Sequence, residues 1–213
     1  MRIHPIQPIA VIVLIVVLIY MKRKKGSAKG PEKVDRHAAD RATVMALEKA
    51  MKGKEDPPEA IYMDMRQRAL ETAPASLGLT GALAENEPYG LLMEMGIADS
   101  VVTLACFANG DAGVYYQSGG GMVGGIAHEN VRKAAKDLVA LSRRALPRMS
   151  RAATHPLPSP GMVRFYALTP RGTFTTETDR ETLGESQSEL SALFSSGQEV
   201  VAQMRQVQAQ RAS

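Results

Sequence analysis

Val101-Val-Thr-Leu-Ala-Cys-Phe-Ala108, then Asn109-Gly110, then Ala112-Gly-Val-Tyr-Tyr-Gln117 is the stretch on which the fold turns. Two β-rich runs separated by Asn-Gly predict a hairpin whose turn needs a positive φ. Both arms are apolar on both faces and keep enough apolar side chains to bury a face of the sheet under helices.

Downstream, Gly119, Gly120, Gly121, Gly124 and Gly125 form a glycine-rich connector, after which a helix is predicted from about His128 to Met149. Val131, Ala135, Leu138, Ser142 and Ala145 recur on one face of it, with Ala134, Leu141 and Leu146 beside them. Ser150 to Gly161 carries Pro156, Pro158 and Pro160, which stiffen a connector and keep it from pairing as a central strand. A second hairpin is predicted over Met162 to Thr169 and Thr173 to Thr178, its turn built on Pro170, Arg171 and Gly172. The final helix is expected to open with Ser186 and Glu189 at capping-box spacing and to bury Leu190, Leu193, Phe194, Gly197, Val201 and Met204. From Gln206 the chain is polar and is expected to fray, leaving 208–213 as a tail.

Upstream, Asp56 as N-cap, Pro57 and Pro58 in the first turn, and Glu59 reaching back predict a helix to about Ala73, ended by Pro74. Ile61, Met65, Ala69 and Ala73 would form its apolar stripe. Between Leu77 and Ser100 the pattern does not arbitrate, because Leu91, Leu92, Met93 and Met95 suit a strand or one buried helical turn alike. The resulting order over 56–207 is helix, hairpin, helix, hairpin, helix, an α+β domain with an antiparallel sheet under helices and the same topology repeated in its two halves. That element order resembles the profilin-like domains, among them the roadblock and longin modules, although no residue motif carries the resemblance.

Residues 1–25 read differently. Ile9 to Met21 is uncharged and apolar on every face, and extending it back to Ile3 gives a run that would cover roughly 28 Å as a helix, near the lower limit for a membrane span. Lys22, Arg23, Lys24 and Lys25 follow at once and outweigh Arg2, so the expectation is a single-pass signal-anchor over residues 3–21 with the bulk of the chain cytoplasmic. The inner membrane is meant if the source is bacterial, and anionic lipid headgroups are the expected partners of the basic stop. A cleaved signal peptide fits less well, because small residues do not follow the apolar run. Residues 26–55 read as a juxtamembrane linker and then a weakly helical stretch, stalk or docked helix, in which Val44, Leu47 and Met51 recur.

The sequence pI near 9.2 suggests nucleic acid, but the basicity is local. Residues 1–30 hold six of the 26 Lys and Arg and none of the 22 acids, leaving 20 basic against 22 acidic residues, which argues against phosphate-backbone binding by the rest. The lone Cys106 sits in an apolar strand and is expected to pack rather than react, in keeping with a reducing compartment. The four histidines show no ligand spacing, so neither a metal site nor a cofactor is expected, and no catalytic residue stands out.

Two sites remain. Gly119 to Gly124 spells G-x-G-x-x-G ahead of a helix, and Gly119, Gly121, Gly124 and Gly125 could point backbone N–H groups at an anion. The acidic residue and parallel strand of a dinucleotide fold are missing, so a connector or close backbone contact is the competing reading. The second site is the helix carrying Arg132, Lys133, Lys136, Arg143, Arg144 and Arg148 against one acid, Asp137, between Val131 and Arg151. Its complement is 55–99, with nine Asp or Glu against Arg66 and Arg68. Such a dipolar surface suits a protein partner, a homo-oligomer or an anionic leaflet. The expected function is a membrane-anchored cytoplasmic protein-interaction or assembly module. The alternative is a membrane-tethered binder or hydrolase of an anionic small molecule, using 119–125.

Overall fold

The computed structural model describes residues 57–79, 81–185 and 187–212. The expected membrane span, basic stop, linker and stalk, and the caps assigned to Asp56 and Ser186, lie outside the described residues. Among those described, no helix is long and apolar enough to cross a membrane.

Helix α1 (Pro58–Leu70) leads, followed after a short 3-10 turn and a loop by β1 (Gly90–Ile97), β2 (Ser100–Phe107), β3 (Ala112–Tyr116) and β4 (Gly121–Met122). Helix α2 (Glu129–Ala145) then crosses over to β5 (Ser150–Arg151), β6 (Met162–Thr169) and β7 (Gly172–Asp179), and α3 (Arg180–Glu185) and α4 (Glu189–Ala212) close the chain. All seven strands form one antiparallel sheet in the order β4-β3-β2-β1-β6-β7-β5. The fold is therefore α+β.

The stretch the sequence left open, 77–100, contains the central strand. From Leu91 to Gly96 every residue of β1 is buried, because α2 and α4 cover one face and α1 with the proline-rich connector covers the other. Leu91 and Met93 join the core under α2 and α4, while Leu92 joins Ala105, Tyr166 and Leu168 under Ala69 and Leu70 of α1. A strand buried on both faces loses the period-two alternation by which it would be recognised. With β1 in place the halves are unequal. The first is a three-stranded meander with a short fourth edge, the second a hairpin with a two-residue edge, so the repeat inferred from the sequence is replaced by an asymmetric sheet.

Both expected hairpins are present. In the first, Gly110 has φ 93° and its N–H donates to Phe107 O at 2.8 Å, closing a tight β2–β3 turn. In the second, Thr169 pairs with Gly172 across Pro170 and Arg171, and Thr169 Oγ1 donates to Gly172 O at 2.8 Å. Helix α2 buries Val131, Ala135, Leu138, Ser142 and Ala145, the face the spacing predicts.

Three boundaries differ from expectation. Helix α1 ends at Leu70, and its buried residues are Tyr62, Arg66, Ala69 and Leu70, one position round from the stripe of Ile61 and Met65; Ile61 is 48 % exposed. The side of α1 that meets the sheet is chosen by hydrogen bonds rather than by apolarity. Helix α4 is capped by Ser188, whose Oγ accepts from Ser191 N at 3.1 Å, and its helical bounds run through Gln206 to Ala212. Its glycine, Gly197, lies where the helix crosses β1, since a Cβ there would come within 2.6 Å of Met93 Cε.

Candidate functional site

The most concentrated chemistry lies beneath α1. On that face of the sheet Thr103, Glu94, Arg164 and Glu177 stand side by side, paired in register across β2, β1, β6 and β7. Arg66 reaches down from α1 and grips Glu94 with two bonds, Nε to Oε1 at 2.6 Å and Nη2 to Oε2 at 2.9 Å. Both side chains are withdrawn from solvent. Tyr62 OH lies 2.8 Å from Thr103 Oγ1, which donates to Glu94 Oε1 at 3.3 Å. The connector seals the side. Pro156 O accepts from Tyr166 OH at 2.6 Å and from Arg66 Nη2 at 3.3 Å, and the Arg66 guanidinium stands 5.6 Å from the Tyr166 ring centre.

Burial dominates the electrostatics here. It pushes the Glu94 carboxyl upward against the pull of Arg66; burial is also the largest single influence on Arg66 and opposes its charge, but the bonds to Glu94 together with the charges of Glu94, Tyr166 and Tyr62 leave Arg66 raised. Burial pushes the Tyr62 hydroxyl up to about 12, so it stays protonated. His155 packs edge-on to Tyr166 with ring centres 5.4 Å apart, and desolvation followed by the nearby Arg66 charge lowers it. Its Nε2, together with Arg164 Nε and Thr175 Oγ1, is buried without a hydrogen-bond partner among the described residues. Arg164 pairs with Glu177, whose Oε1 accepts from Ser159 N at 3.1 Å. Every charge has an opposite neighbour, and the Arg66–Glu94 pair is enclosed, which suits holding α1 and the connector in register rather than proton transfer to a substrate.

The glycine segment is shared among several structural tasks. Gly119 and Gly120, both at positive φ, turn β3 into β4, and Gly121 pairs with Tyr115 in the edge strand. A Cβ on Gly121 would meet Val114 O at 2.4 Å, and one on Gly125 would meet Val131 Cγ1 at 2.7 Å. Gly124, at φ 82°, starts the 3-10 turn that leads to His128 and α2. Ala127 N and His128 N are already bonded to Gly124 O and Gly125 O, and Glu129 stands in the first turn of α2. A cleft of about 240 Å³ does open here, between Gly121–Gly125, His128 and the Met204–Gln208 end of α4.

On α2 the sequence-predicted cations face away from the sheet. Arg132 pairs with Glu129, Lys133 Nζ reaches Asp137 at 2.7 Å, and Arg148 lies 3.9 Å from Glu189. Lys136, Arg143 and Arg144 are exposed and have no ion pair among the described residues. Arg144 borders a cleft of about 670 Å³ between α2 and the α3–α4 junction. The structure thus places five of the six basic residues on α2 and Arg148 in the 3-10 turn that follows it, and leaves Lys136, Arg143 and Arg144 without an ion pair among the described residues, while Arg66 and Glu94 form a site that the sequence reading passed over. Cys106 is fully buried, and burial pushes its thiol well above the ordinary range. Among the described residues no cluster of His, Cys, Asp or Glu could hold a metal ion. No family model matches the chain, and comparison with curated proteins and with solved structures returned no match.

Proposed function

We propose that this chain is a membrane-anchored, cytoplasmic protein-interaction or assembly module, held by residues 3–21 and engaging its partner through the outward face of α2. The observation that carries the reading is the uncompensated charge of Lys136, Arg143 and Arg144 on a helix whose opposite face is committed to the core. Exposed cations of this kind add little to stability but steer association and fix its register. The test is affinity capture of the full chain from detergent-solubilised membranes, with the mass of the complex measured. A complex heavier than the single chain is expected, and it should be lost in Lys136→Glu/Arg143→Glu/Arg144→Glu. A single-chain mass for the wild type would contradict the reading.

The cleft beside Gly121–Gly125 favours a second reading, binding of an anionic small molecule at the start of α2. Glu129 in the first turn and the engaged N–H groups weigh against it. A melting temperature that rises with ATP, GTP or phosphate but not with sulfate, and no longer rises in Gly124→Ala, would favour this reading over the first.

A further inference from the structure

We propose that the cleft between α2 and the α3–α4 junction receives an apolar side chain of the protein partner, with carboxylates on either side of that anchor meeting Arg144. The inference deepens the interaction reading above, on which it rests, by naming the chemistry of the segment that docks beside α2. The cavity is the first observation. Its volume, about 670 Å³, falls within the range of ligand-binding clefts. Leu141 of α2, the buried Leu183 of α3 and Phe194 of α4 give it apolar walls. Side-chain size on α4 keeps it open. Positions 188, 191, 192 and 195 line the cleft at the i, i+3, i+4 and i+7 spacing of one helical face, and they hold Ser, Ser, Ala and Ser. Larger side chains on that face would fill the space.

The second observation is charge. Arg144 borders the cleft, is exposed, and has no ion pair among the described residues. The other polar groups at the cleft are answered within the chain. Glu189 lies 3.9 Å from Arg148, the start of α4 is taken by Ser188, whose Oγ accepts from Ser191 N at 3.1 Å, and Gln198 Nε2 donates to Met95 Sδ at 3.1 Å. The exposed acids of α3, Glu181 and Glu185, lie outside the cleft lining. Arg144 is thus the cation left to be met from outside. A basic segment would set its charge against Arg144, and a wholly polar one would leave Leu141 and Phe194 in contact with water. An apolar residue flanked by Asp or Glu satisfies both walls and rim, and an anchor seated in a pocket is where an interface concentrates its binding energy.

The probe is a fluorescent peptide of sequence Asp-Glu-Phe-Glu-Asp with blocked ends, added to the full chain in nanodiscs of phosphatidylcholine, which carry no net charge. Two relatives are measured beside it: Asn-Gln-Phe-Gln-Asn, without charge, and Asp-Glu-Gly-Glu-Asp, without the anchor. Polarisation should saturate with the first peptide, and either relative should bind about tenfold more weakly. Ala192→Trp, which sets an indole in the cleft from an exposed position of α4, should weaken the probe about tenfold or more with every cation in place. Arg144→Glu should do the same and alters no packed side chain, so the test stays readable if the tryptophan disturbs α4. Lys136→Glu should change little, because Lys136 lies two turns back along α2 and beside Gly110, about 12 Å from Arg144 and beyond the reach of a screened charge. Equal affinity for the uncharged or the glycine peptide, displacement of the probe by inorganic phosphate alone, the lack of saturable binding, or an affinity indifferent to both Ala192→Trp and Arg144→Glu would overturn the proposal. Its failure is separable from that of the interaction reading. A captured complex that survives Ala192→Trp but is lost in Lys136→Glu/Arg143→Glu/Arg144→Glu keeps the α2 face and defeats the cleft. Specific probe binding by a chain whose captured mass is that of the single chain keeps the cleft and defeats the wider reading.

Discussion

Arg66 carries a guanidinium into a site where it meets Glu94, Pro156 O and the Tyr166 ring, and its removal would strand a buried carboxylate. Arg66→Met should therefore cost about 3–5 kcal/mol, whereas Arg66→Met combined with Glu94→Met should recover most of that loss, since two apolar side chains need no solvation. Urea midpoints of the four proteins in the cycle measure this, and additive losses would show that the pair does not act as a unit. His155 sets a pH dependence nearby. Its folded value lies below the ordinary 6.5, so the unfolded chain binds the proton more readily. The stability that neutral His155 contributes is present above 6.5 and is lost as pH falls from there through the lower folded value. His155→Phe should flatten this part of the stability–pH curve, and an unchanged slope would place the titration elsewhere. Sequence reading passed over Tyr62 and Arg66 for one reason. An amphipathic stripe is sought among apolar side chains, and α1 turns Tyr62 and Arg66 inward while Ile61 stays half in water. The available signal was Glu94, a single acid in the apolar run 91–97, which a doubly covered strand can bury only beside a cation.

At the scale of elements, the connector 152–160 is the piece that closes the sheet. It lies so close to β1 that a Cβ on Gly96 would fall 2.1 Å from Ser159 O, and Gly161 N donates to Gly96 O at 2.9 Å. Gly96→Ala should displace the connector, break the Pro156 carbonyl contacts with Arg66 and Tyr166, and cost roughly 2 kcal/mol or more by overpacking. Hydrogen exchange should then rise in 152–160 and in α1 together, whereas a rise confined to β1 would show that the connector is not what secures α1. The hairpins, α2 and the buried stretch of α4 were legible because Asn109-Gly110, Pro170-Arg171-Gly172 and the spacing of Val131, Ala135 and Leu138 each encode local geometry. Strand β1 was not, because burial on two faces is decided by distant elements.

For the whole molecule, the two faces of the sheet have different roles. The α1 face is fastened by an enclosed ion pair and a proline-rich strap, while the opposite face carries α2 and α4 with unpaired cations pointing outward. The basic helix was visible in the sequence, but its division into paired and unpaired charges was not, since Glu189 lies far along the chain from Arg148. The glycine segment was visible as well, and the sequence could not decide between a cradle and a turn because both use the same residues at positive φ. The outward face of α2 is the surface proposed to engage a partner, and the anchor over residues 3–21 is part of the same proposal. Lysine acetylation footprinting read site by site reports on that face through Lys133 and Lys136, separately from the eight lysines of residues 1–56. In native membranes Lys136 should acetylate several-fold more slowly in the wild type than in Arg143→Glu/Arg144→Glu, with Lys133 less affected because Asp137 holds it in both proteins. Equal rates at Lys136 in the two proteins would contradict the proposal.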